Sequence, residues 1–230
     1  MLKILAMGAH PDDIEIFMYG LLGILKKRGD EIFTIVATDG AMGGTNKGES
    51  LKKKRKIEAV LSLKKISSPI FLDIPDSELG YNSEHQKIIK ESILNIMPDL
   101  IITHSQYDYH ADHRSLSLMT SAAVSHYVPI LYCDTLMGIN FKPNYYVDIT
   151  DYFSMKKDAI LNHHSQEPQR FVDLSILMNS YRAAQCNSPK GHFAEAYCFF
   201  PSFPFSDIRD ILPPQPKIRP FYIENQFGFL

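Results

Sequence analysis

Residues 2–38 read LKILAMGAHPDDIEIFMYGLLGILKKRGDEIFTIVAT, and the alternation inside this stretch decides the fold. Leu2 to Gly8 is a short apolar run of strand length. A helical segment follows from about Ile14 to Arg28 and stops at Gly29, a residue that accepts the left-handed backbone at a helix end. Glu31 to Thr38 is then rich in Ile, Phe, Thr and Val, which favours a second strand. A strand, a crossover helix and a second strand form the unit from which parallel sheets are built.

The same rhythm continues outward. After the Gly-containing loop Asp39 to Gly48 come a Lys-rich helix, Glu49 to Leu63, and a strand at Pro69 to Ile74. Apolar residues at Ile88, Ile89, Ile93, Leu94 and Met97 give Glu84 to Ile96 a helical period, closed by Pro98. Leu100 to Thr103, Pro129 to Cys133, Tyr145 to Ile149 and Glu195 to Phe200 read as further strands. Ser115 to Tyr127, Asp151 to Asn162 and Phe171 to Gln185 read as helices. The expected fold is α/β: a Rossmann-like, mostly parallel sheet with helices on both faces. With no repeat and no linker, residues 1–230 form one domain, and 201–230 form an irregular extension rich in Pro and Phe.

The 230 residues carry a net charge of −2, with 45% hydrophobic and 22% charged, an ordinary globular balance that favours neither nucleic acid nor an anionic membrane as partner. The run Lys52 to Lys56 reads as a solvated helix face. Cys133, Cys186 and Cys198 are too widely spaced for a disulfide framework or a thiolate zinc site, so they read as buried free thiols in a reducing compartment. No apolar run is long enough to span a bilayer and no leader pattern opens the chain, so the expected location is the cytoplasm.

In open α/β sheets, sites form in the loops at the carboxyl ends of strands, which points to the residues after Ala9, Thr38, Ile74 and Thr103. His10-Pro11-Asp12-Asp13, with Glu15, follows the first strand. His110-Ala111-Asp112-His113 follows the Leu100 to Thr103 strand after a short loop. Imidazole and carboxylate suit Zn²⁺, and divalent iron or manganese would also accept them. A single loop His is usually a surface residue, and an Asp before a helix is usually a cap. Two His/Asp clusters facing one crevice are less readily accidental.

These motifs resemble those of the LmbE/PIG-L deacetylase family, which includes deacetylases of mycothiol, bacillithiol and glycosylphosphatidylinositol biosynthesis. Ala9 to Glu15 resembles its first signature and His110 to Arg114 its second. Thr38-Asp39-Gly40, Arg55 with Glu58, Leu72 to Asp76, Lys157 to Ile160, His163 to Gln166 and Phe193 to Tyr197 fit in order, so the likeness spans about residues 3–200. The resemblance implies a zinc-dependent N-deacetylase acting on an N-acetylglucosamine-type amino sugar. It implies His10, Asp13 and His113 as metal ligands and Asp12 as the general base. His110 would stabilise the oxyanion or protonate the leaving amine, and Asp112 would orient it. Arg55 and Asp76 would contact the sugar, and the protein would be a homo-oligomer, trimer or hexamer. Glu15, Asp39 and His163 match recurrent positions and would support the site or the structure around it.

The sequence departs from the family pattern at Phe17-Met18-Tyr19-Gly20-Leu21, which is bulkier than a Gly-rich stretch, at Ala111 in place of Pro, and at Arg182-Ala183-Ala184-Gln185. None of these removes a proposed ligand or base, but each bears on the shape of the substrate pocket. Two rival readings are an amidohydrolase acting on a non-sugar amide and a non-catalytic Rossmann-like binding module. Gly40, Gly43, Gly44 and Gly48 are the residues that could suggest a phosphate loop, but neither nucleotide-binding glycine motif occurs.

Overall fold

The computed structural model describes residues 1–44, 47–80, 82–124, 127–200 and 212–213. Seven strands form one sheet: β1 (Lys3–Gly8), β2 (Glu31–Thr38), β3 (Pro69–Ile74), β4 (Leu100–Thr103), β5 (Ile130–Cys133), β6 (Tyr145–Asp148) and β7 (Ala194–Phe200). Their order is β3-β2-β1-β4-β5-β7-β6. The first five are parallel, and β7 runs antiparallel between β5 and β6. The expected α/β class holds, with a mixed edge. The helices are α1 (Asp13–Phe17), α2 (Tyr19–Arg28), α3 (Glu49–Leu63), α4 (Ser83–Ile96), α5 (Ala111–Val124), α6 (Phe153–Leu161) and α7 (Pro168–Gln185).

Strand periodicity divides the core in two. Along β1, Ile4 and Ala6 point into one apolar cluster, shared with α1, α2 and α6. Leu5 and Met7 point into the other, shared with α4 and α5. A strand buried on both faces has no polar alternation, which is why β1 reads as a continuous apolar run.

Besides shifts of a single residue, four differences from the sequence reading stand out. The helix expected over Ile14 to Arg28 is two helices, broken at Met18 (φ −131°). α5 starts at Ala111 rather than Ser115, so Asp112 and His113 sit in a first helical turn and not in a loop. α7 starts three residues early because Pro168 occupies its first turn, where a missing N–H costs nothing. A 3-10 turn, Thr150–Tyr152, replaces the start expected for α6. Thr45 and Asn46 of the Gly-containing loop, Tyr81, residues 125–126 of the expected helix to Tyr127, and nearly all of the 201–230 extension lie outside the described residues.

Candidate active site and metal centre

The two signatures meet at the carboxyl ends of β1 and β4. β1 ends at Gly8, where a Cβ would lie 3.0 Å from the Asp13 Cβ, so glycine lets the chain turn tightly into α1. Asp12 takes an unusual backbone (φ 151°, ψ −21°) that a residue with a side chain adopts only when its surroundings enforce it. The turn sends the two neighbouring carboxylates in different directions.

Asp13 is the hub. Its Oδ2 lies 3.3 Å from His10 Nδ1 and 3.2 Å from His104 Nε2, and its Oδ1 lies 3.3 Å from His113 Nε2. Burial would raise this carboxyl's pKa, but His113 and His104 beside it hold it well below the usual range. Burial also opposes charge on His113, yet Asp13 and Asp108 hold the imidazole up at about 9. His104 goes the other way, to about 4, because burial and the neighbouring His113 both disfavour its proton. The His104 and His113 rings stack with centroids 3.7 Å apart. With Nε2 accepting the Ala9 N–H at 3.1 Å, His104 is held in the neutral form.

Asp12 faces Arg55 instead. The guanidinium Nη2 lies 3.1 Å from Asp12 Oδ2 and donates to Pro11 O at 3.0 Å, while Nη1 donates to Gly40 O at 3.1 Å. Burial raises the Asp12 pKa, and Arg55 opposes that rise. Arg55 is itself buried at 2% exposure, so it braces Asp12 and the loop after β2 rather than reaching outward. A side chain at Gly43 would collide with this guanidinium, which accounts for glycine there without a bound phosphate.

Asp76 and Asp112 converge on His10 Nε2 at 3.4 and 3.1 Å. Asp112 therefore does not make the expected side-chain contact with His110. His110 Nδ1 instead accepts the Asp112 backbone N–H at 3.2 Å, and His110 N donates to Asp108 Oδ1 at 2.8 Å. That leaves His110 Nε2 as the nitrogen open to other partners. Asp76 Oδ2 accepts the Met42 N–H at 2.9 Å; although burial works against ionisation, His10 and this bond bring its pKa to about 2.

Two residues of the cluster are absent from the sequence reading. His104 directly follows Thr103, the position that the strand-end rule itself singles out. Asp108 lies 3.1 Å from His113 Nδ1, a carboxylate behind a candidate ligand. Its signal was only its place two residues before His110. Glu15 and His163 pair at 2.9 Å, buried beneath the site. Asp39 accepts the backbone N–H of Ala41 and Asp76, tying the β2 and β3 loops together.

The donor set fits a divalent cation. Tetrahedral ligands about 2.1 Å from an ion lie about 3.4 Å from one another, close to the Asp13 separations from His10, His104 and His113. Three overlapping triads have ligand atoms within 4.8 Å of one another: His10-His110-His113, Asp13-His104-His113 and His10-Asp76-Asp112; the expected set His10, Asp13 and His113 is not one of them, since His10 meets Asp13 Oδ2 and His113 meets Oδ1. They open onto a cavity of about 240 Å³ whose floor includes His10, Asp12, Asp13, His110 and His113.

An α/β sheet with a buried His/Asp cluster at its strand ends defines a protein able to hold a metal ion. The chain belongs to the PIG-L family: the family model described as GlcNAc-PI de-N-acetylase matches residues 5–124. The expectation of an N-deacetylase of the LmbE/PIG-L type is met by this membership. The chain is 29% identical to the diacetylchitobiose deacetylase of Thermococcus kodakarensis, over 86% of this chain and 83% of that relative. The N,N'-diacetylchitobiose deacetylase structure from Pyrococcus horikoshii superposes with a TM-score of 0.76 at 25% identity, covering 86% of this chain and 83% of that one. A 4-carboxy-2-hydroxymuconate hydratase from Pseudomonas putida shares the fold, with a TM-score of 0.75 at 19% identity, covering 87% and 97%.

Proposed function

We propose that the protein hydrolyses the N-acetyl group of an N-acetylglucosamine-type sugar derivative, with zinc held by His10, Asp13 and His113. The observation that carries this reading is the split between neighbouring carboxylates: Asp13 enters the imidazole cluster, while Asp12 is braced beside it at the cavity floor. When bound, the ion supplies Lewis-acid polarisation of the amide carbonyl and a lowered water pKa. Asp12 takes the proton of the attacking water, and Arg55 keeps that carboxylate in place. The water oxygen bonds to the carbonyl carbon, the C–N bond breaks, and the amine departs with a proton as acetate forms. His110 Nε2 donates a hydrogen bond to the oxyanion, with its ring set by the Asp112 and Asp108 contacts at Nδ1 and N, and the proton that Asp12 has taken leaves with the amine. Asp112 and Asp76 steady His10.

Among the described residues no helix is long and apolar enough to cross a membrane. The wide spacing of Cys133, Cys186 and Cys198 supports a reducing, cytoplasmic setting; Cys133 is buried, whereas Cys186 and Cys198 are only half-buried, against the expectation of buried thiols.

The test is amine release from a panel of N-acetylglucosaminides by zinc-loaded protein, run beside the Asp12→Asn variant. The substitution is expected to retain the metal and to lower turnover by about 10²–10⁴-fold. Full activity in Asp12→Asn would remove Asp12 as the base.

A further inference from the structure

Met42 and Gly43 form part of the cavity wall, although they lie in the loop after β2, outside any strand or helix. A loop without ladder hydrogen bonds keeps one shape only where side chains fasten it. Three do so here. Arg55 donates to Gly40 O, Asp76 accepts the Met42 N–H, and Gln166 Nε2 donates to Gly43 O at 2.5 Å. Arg55 and Asp76 also serve Asp12 and His10, so changing either disturbs the ionic cluster. Gln166 lines the same cavity but, among the described residues, hydrogen-bonds to no member of that cluster.

The Gln166 carboxamide has one workable orientation. Besides Gly43 O, its Nε2 faces Ser165 O at 2.9 Å and Ser165 Oγ at 3.2 Å. Ser165 Oγ gives its own proton to Glu58 Oε2 at 2.5 Å, so all three neighbours of Nε2 are acceptors. Turned over, the amide would set Oε1 against two carbonyl oxygens. Glu58, buried on α3, also accepts the Ser165 N–H through Oε1 at 3.0 Å. The Gln166 N–H returns to His163 O at 2.8 Å, and Glu167 leaves in the left-handed region (φ 49°). The 3-10 turn His164–Gln166 is thus clamped from α3, and its last side chain reaches across to the loop.

Resting on the deacetylase reading, we propose that Gln166 is a positioning residue for that reaction. It fastens Met42 and Gly43 as a preformed wall of the cavity, and Glu58 holds it in place through Ser165. A wall fixed before the substrate arrives adds no ordering cost to binding. Loosening it weakens the ground state and the transition state alike, so the effect falls on KM and leaves kcat.

Two variants of matched length remove the donor. Gln166→Glu sets a carboxylate against the two carbonyl oxygens, and Gln166→Met deletes the bond without adding charge. The N–H groups of Ala41, Met42, Gly43 and Gly44 bond to Asp39, Asp76, Gly40 and Met42, none of them to Gln166. Their hydrogen exchange therefore reports opening of the loop and not loss of the tested bond itself. On the zinc-loaded full chain, that exchange is expected to quicken about 10-fold in Gln166→Met and further in Gln166→Glu. Glu58→Gln should quicken it too, but add nothing in the Gln166→Met background, because it acts through the turn. For any N-acetylglucosaminide that the wild type turns over, KM should rise about 10-fold, with kcat held within about 2-fold and zinc affinity unchanged. Unchanged exchange in both variants would overturn the proposal. So would faster exchange with unchanged KM, or a fall in kcat alone, which would put Gln166 at the reacting atoms. If the wild type releases no amine from any member of the panel, the deacetylase reading falls, and the fastening of the wall stands or falls on the exchange result.

Discussion

Asp12 and Asp13 show how much one residue's orientation decides. Their sequence surroundings are the same, yet burial raises the first and two imidazoles hold the second well down. Residue types and spacing marked the pair as chemistry-bearing; the backbone at Asp12 that separates their roles has no signature in the sequence. His163 poses a sharper test at this scale. Burial alone would lower its pKa, but Glu15, 2.9 Å from Nε2, and Asp12 outweigh burial and raise it. A histidine raised in this way stabilises the fold fully below its unfolded value of 6.5 and loses that stabilisation as pH rises through the folded value. The Tm advantage of the wild type over His163→Gln is therefore expected to be greatest near about pH 6 and to shrink toward alkaline pH. A difference that stays constant across that range would show that the imidazole carries no proton in the fold.

At the scale of elements, α1 and α2 explain why the sequence reads as one helix where the structure has two. All five residues of α1 are buried, and six of the ten in α2. With so little polar face there is no periodicity whose phase could mark a break. The break is held from far along the chain: Glu195 on β7 accepts the Gly20 and Leu21 N–H groups at 2.9 and 2.8 Å, placing a carboxylate at the start of α2. Lys156 and the Tyr197 hydroxyl, at 2.8 and 2.7 Å, complete that buried carboxylate's partners. Such long-range capping is invisible to local pattern, whereas the helix end at Gly29 was legible because its cause is local. Gly20 gives this element its prediction. In an open helix Gly→Ala gains up to about 1 kcal/mol. Here a Cβ would sit 2.4 Å from Ile149 Cγ2 and 2.6 Å from Ile149 Cβ, atoms of a stiff β-branched side chain. Gly20→Ala is expected to destabilise by about 1–3 kcal/mol, read as a lower urea midpoint at unchanged slope. A gain in stability would mean that α2 can shift away from Ile149 freely.

For the molecule as a whole, the fold alone does not select a reaction, since a hydratase superposes almost as well as a deacetylase. What is particular to this chain is the convergence of side chains from four places: the β1–α1 turn, the loop after β3, the end of β4 and the first turn of α5. The parallel order that brings those ends together was readable from the alternation of elements. The set each residue would join was not, because it depends on rotations of His10, Asp112 and His104 about a shared centre. That centre links elements from across the sheet, so a cation held there would act on global stability. Binding at about 1,000 times its Kd stabilises a fold by about 4 kcal/mol. For a chain of 150–250 residues this corresponds to roughly 8–16 °C in Tm. Stripping the metal with a chelator is expected to lower Tm by about that amount, and restoring zinc to recover it. The stripped protein should still fold, because Asp13 and the imidazoles pair with one another. In His113→Ala the response to zinc should shrink along with its affinity, since Asp13 loses one imidazole at 3.3 Å. A wild-type Tm indifferent to chelator and zinc alike would instead identify the cluster as an ion-pair network that joins these elements without a metal.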